Sequence, residues 1–72
     1  MDGFAKDRYT RIEVGRTVSR ILETESTLTT RRRRAMEFSR DVIKAIAAGE
    51  CTDPKFAARQ LFKLWRKLGI LR

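Results

Sequence analysis

The sequence predicts an all-α fold, a small domain of three helices, and three observations carry that prediction. The stretch Asp53 to Gly69 (DPKFAARQLFKLWRKLG) holds a capping residue, a proline suited to the first helical position and a glycine stop in the right order. Two further windows place apolar residues at helical spacing. Between the windows lie a hydroxyl-rich break, Ser26 to Thr30, and a short connector, Glu50 to Asp53.

In chain order, residues 1–8 read as a loose N-terminal arm, with two aspartates, a glycine and a lone Phe4 that is free to pack on the domain or on a partner. Tyr9 to Val14 (YTRIEV) then alternates with period two, which allows a short extended segment over 9–14. The competing signal is helical: Val14, Val18, Ile21 and Leu22 fall on one face, so a first helix is expected from about Arg11 or Arg16 to Glu25. Gly15 is its weak point.

Thr29 or Thr30 is the expected cap of a second helix, about Arg31 to Ala48, stopped by Gly49. It turns Ala35, Phe38, Val42, Ala45 and Ile46 inward, with Met36 and Ile43 at the margin. The connector makes the second and third helices neighbours. The third helix divides cleanly: Ala57, Leu61, Leu64, Trp65 and Leu68 share one stripe, and Lys55, Arg59, Lys63 and Arg66 share the other. Two aliphatic residues after Gly69, Ile70 and Leu71, are expected to fold back on the core.

Composition narrows the function classes. With 72 residues the chain forms one domain close to the lower size limit for folding alone, which leaves little room for a deep substrate cleft. Lys and Arg number 17 against 9 Asp and Glu, a net charge of +8, which favours phosphate backbones or acidic protein surfaces as partners. The sequence has no histidine, so Cys/His zinc ligation and the usual acid–base constellations are missing; no metal, no cofactor and no enzymatic activity are expected. The single cysteine, Cys51, reads as a spare thiol in a connector. One thiol and no apolar leader point to a cytoplasmic protein that does not enter membranes.

Two features mark a contact surface. Arg31, Arg32, Arg33 and Arg34 form a run that, in a first helical turn, meets the positive end of the helix dipole and calls for an offsetting anion. Pairing of Arg33 and Arg34 with Glu37 is the plainer alternative. Along the third helix Lys55, Arg59, Lys63, Arg66 and Lys67 form a ridge with no acid after Asp53, and Phe62 projects beside it. An aromatic among arginines suits base stacking or a protein hot spot, or simply widens the core stripe. The polar face of the second helix mixes Glu37, Arg40, Asp41 and Lys44 and compensates itself.

The last two helices allow a helix-turn-helix-like arrangement, although the connector exceeds the usual three or four residues. The ending Lys63 to Leu71, KLWRKLGIL, resembles the close of recognition helices in winged-helix regulators; the likeness is a generic amphipathic pattern and assigns no family. Only Arg59 and Gln60 suit bidentate base readout, so backbone contact is expected over sequence reading. The expected function is therefore a small non-enzymatic regulator of gene expression that binds DNA or RNA stoichiometrically. The alternative is docking on an acidic surface of a large protein machine such as RNA polymerase.

Overall fold

The computed structural model describes residues 8–70. Three helices fill most of them: α1 (Arg11–Glu23), α2 (Leu28–Ala47) and α3 (Pro54–Lys67), each in contact with the other two. α1 and α3 share the most extensive of the three packings. The expectations that fall on Phe4, Leu71 and the rest of the N-terminal arm lie outside the described residues. Arg8, assigned to that arm, is fixed: its guanidinium lies 3.1 Å from Asp41 Oδ2 and 3.7 Å from Glu50 Oε1.

Thr10 caps α1, its hydroxyl accepting from Glu13 N–H at 3.2 Å. The alternation of YTRIEV is therefore not a strand. One residue of it is extended: Tyr9 bridges Cys51 in parallel, donating to the Glu50 carbonyl (3.1 Å) and accepting from Thr52 N–H (3.0 Å). With Thr10 supplying the cap, helical burial of Val14, Val18 and Ile21 outweighs the period-two pattern. Cys51 is not a spare thiol but a buried member of the core, carried inward by this bridge.

Gly15 sits inside α1 with ordinary helical backbone, and a Cβ built on it meets nothing within 4 Å. Gly15→Ala should therefore stabilise the domain by about 0.5–1 kcal/mol, because the alanine orders more cheaply into a helix. Thermal unfolding should show the melting temperature rising by a few degrees; a fall would mean that this position is more confined than its geometry shows.

α2 starts three residues earlier than the sequence suggests. Thr27, rather than Thr29 or Thr30, is the cap, accepting from Thr30 N–H at 3.1 Å. Ala35, Val42 and Ala45 are buried as expected, while Phe38 and Ile46 are partly buried and pack against the core. The unexpected inward residue is Ser39, 1% exposed, whose hydroxyl donates to Ala35 O (2.6 Å) and accepts from Trp65 Nε1 (2.7 Å). Both of its hydrogen-bonding roles are filled, which makes a buried hydroxyl tolerable.

α2 and α3 end alike. Gly49 (φ 74°) and Gly69 (φ 72°) adopt the left-handed conformation that glycine reaches without strain, and the next N–H bonds back five residues: Glu50 to Ala45 O at 2.8 Å, Ile70 to Trp65 O at 2.8 Å. The second of these turns lays Ile70 against the core, as its apolar character requires. Asp53 caps α3 through Phe56 N–H at 3.0 Å, with Pro54 in the first turn. Ala57, Leu61, Leu64 and Leu68 are buried and Trp65 is half-buried at the edge of the stripe.

The acidic groups gather around the Tyr9 bridge. The Tyr9 hydroxyl donates to Asp41 Oδ2, and burial, followed by that hydrogen bond and the carboxylate charge, pushes the phenol up to about 12. The folded state thus holds this proton more tightly than the unfolded chain does. Tyr9's contribution to stability is complete below pH 10 and is lost as pH rises from 10 to about 12. Tyr9 is the only tyrosine, so absorbance titration reads it alone and should give a midpoint near 12. A midpoint near 10 would mean that the Asp41 contact is not held in solution.

Candidate nucleic-acid interface

The four arginines divide into two pairs. Because α2 begins at Leu28, Arg31 is its fourth residue, and the run lies beyond the first turn, where the unfavourable dipole field has largely decayed. No external anion is needed to offset it. Arg31 Nε donates to the Thr24 carbonyl at the end of α1 (3.0 Å), and Arg32 Nε donates to the Leu68 carbonyl at the end of α3 (2.8 Å). Each places a cation at the negative end of another helix.

Arg33 and Arg34 are exposed, and among the described residues neither forms an ion pair with Glu37. Arg34 lines a groove between α1 and α2 with Thr17, Glu37 and Asp41, where carboxylates offset it. The two pairs should respond differently to truncation. Arg32→Ala leaves the Leu68 carbonyl without its donor and should lower stability by about 1 kcal/mol, whereas Arg33→Ala should stay within about 0.5 kcal/mol of the parent. Denaturant melts of the two variants compare them directly; equal losses would remove the structural role from Arg32.

The ridge of α3 forms as its spacing requires. Lys55, Arg59, Phe62, Lys63, Arg66 and Lys67 are all exposed. Arg59, Phe62, Lys63, Arg66 and Lys67 line one open groove along the helix, of about 410 Å³. Lys63 and Lys67 also border a second cleft of about 440 Å³ between α1 and α3, where Arg31 joins them beside Ser19, Leu22, Glu23 and Leu68. The fold therefore adds Arg31 to the ridge, a link of more than thirty positions in sequence. Lys55 stands at the other end of α3, about 18 Å from Lys67 along the axis.

Among the described residues the only acid that lines this surface is Glu23. The described ion pairs are Arg8–Asp41, Arg8–Glu50 and Arg11–Asp53, none of which involves a cation of α3. Acidic charge is drawn to the Tyr9 side, and the α3 cations are left to solvent. Phe62 is 49% exposed and meets Trp65 edge-on at 5.5 Å between centroids, while Phe56 lies under the Arg11 guanidinium at 4.8 Å. Phe56 is thus engaged within the domain and Phe62 is available outside it.

Among the described residues no helix is long and apolar enough to cross a membrane. No family model, curated protein or solved structure matches the chain, so its function is argued from this surface.

Proposed function

We propose that the protein is a small non-enzymatic regulator of gene expression that binds DNA or RNA through phosphate contacts along α3. One observation carries the reading: five cations on a helix without an acid, none of them in an ion pair among the described residues, and continuous with Arg31 through the cleft that Lys63 and Lys67 share. An unpaired cationic row of this length gains more from condensed phosphates than from bulk counterions, since each contact releases a bound ion from the nucleic acid. Backbone contact of this kind positions a protein without reading sequence. Arg33 extends the positive field on the same chain segment, Arg34 is offset by Glu37 and Asp41, and Arg31 and Arg32 also serve the fold.

Capture from a host lysate tests the reading. The immobilised protein should retain nucleic acid, and nuclease should strip nearly all of what is bound. Proteins that remain after nuclease would favour the alternative, docking on an acidic surface of a protein machine such as RNA polymerase. In that case Phe62→Ala should weaken capture more than any single lysine substitution, because buried aromatics dominate protein interfaces.

A further inference from the structure

A second surface adjoins the α3 ridge and shares Phe62 and Arg66 with it. The crossing contacts Arg32–Leu68 and Ser39–Trp65 climb α2 as they descend α3, so the two helices run antiparallel with a seam between them. α1 and its entry segment cover one side of that seam: Tyr9 packs on Phe38 at 5.9 Å, and Arg11 lies over Phe56. At 100° per residue, Met36 and Ile43 fall on the opposite side of α2 from Phe38, three residues before and four after Ser39. Trp65 and Phe62 fall on the matching side of α3. Met36, Ile43 and Phe62 are 37%, 51% and 49% exposed, and the half-buried Trp65 stands between the helices.

Among the described residues the charges that flank this apolar strip are arginines. Arg32 and Arg40 lie four residues either side of Met36, and Arg66 lies four after Phe62. The acids of α2, Glu37 and Asp41, line the α1 groove on the far side. Two antiparallel helices with an open apolar seam accept a further helix, and an arginine rim selects an acidic one. A second copy of this chain fits poorly, since a two-fold axis would set arginines against arginines. Aliphatic Met36 and Ile43 offer nothing to phosphate. From these observations we infer that the α2–α3 face turned away from α1 is a docking groove for an acidic amphipathic helix of a partner protein. The inference does not depend on the nucleic-acid reading: Phe62 and Arg66 border both surfaces, but Lys63 and Lys67, which join the ridge to Arg31, lie on the α1 side of α3.

The test uses a labelled synthetic peptide of about 18 residues, with leucines at i, i+3, i+4 and i+7 and glutamates elsewhere. A scrambled peptide of the same composition serves as control, and the readouts are anisotropy and amide resonance shifts on the intact protein. The amphipathic peptide should bind saturably and move the resonances of Met36, Ile43, Phe62 and Trp65. Ile43→Glu, at an exposed position that leaves the core intact, should weaken it at least about tenfold, and Met36→Glu likewise. Lys63→Ala should leave peptide binding within about twofold. The inference falls if no saturable binding appears up to about 1 mM peptide, if the scrambled peptide binds equally, or if the shifts map to Lys63 and Lys67. It also falls if sedimentation shows a dimer that Ile43→Glu dissociates, because the second copy would then be the occupant.

Discussion

Replacing Lys63 and Lys67 together by glutamate should weaken binding to duplex DNA by more than about a hundredfold at about 0.1 M salt. Each phosphate neutralised contributes roughly a factor of eight under those conditions, and two lost contacts give about sixtyfold before repulsion by the new carboxylates is added. These two lysines matter most because they alone border both the α3 groove and the cleft that holds Arg31. Both side chains are exposed, so the fold should tolerate the change apart from a small dipole penalty at Lys67, in the last turn. Anisotropy measures the affinity and far-ultraviolet circular dichroism checks the helix content. An affinity loss below about threefold with the helices intact would place the contact elsewhere.

Leu64→Ala should remove a large fraction of the domain's stability. Leu64 is fully buried (0% exposed) at the centre of the α3 stripe, among residues from all three helices. Truncating a leucine in such a site costs about 2–5 kcal/mol through lost transfer energy and the cavity left behind. A domain of this length is worth only about 4–11 kcal/mol in total. Urea unfolding should show a midpoint reduced by about a third or more with an unchanged slope. A loss below about 1 kcal/mol would mean that the surrounding helices collapse onto the gap, which would contradict a core held by the caps and stops described above.

α3 was legible in full because each of its signals is local. Asp53, Pro54 and Gly69 lie at the positions where capping chemistry acts, and the apolar and cationic stripes follow from spacing alone. The start of α2 was less so, since Thr27, Thr29 and Thr30 can all cap; Thr27 accepts from Thr30 N–H, and Arg31 reaches back to the Thr24 carbonyl, a contact that helical spacing does not announce. Ser39 stands at an inward position between Ala35 and Val42, but its hydroxyl argues for solvent until Trp65, far along the chain, supplies a donor. The division of the arginine run is of the same kind. Nothing near Arg32 in sequence announces the Leu68 carbonyl, and only the antiparallel return of α3 brings it within reach. Tyr9 and Cys51, likewise, meet only because α1 and the α2–α3 connector end up side by side.

The salt dependence of affinity for duplex DNA tests the phosphate-contact reading of α3 most directly. For the parent protein, log K should fall linearly with log salt with a slope of about −4 if most of the five ridge cations are engaged, and Lys63→Ala should make that slope shallower by about 0.9. A slope near zero, or one that Lys63→Ala leaves unchanged, would contradict phosphate contact along α3.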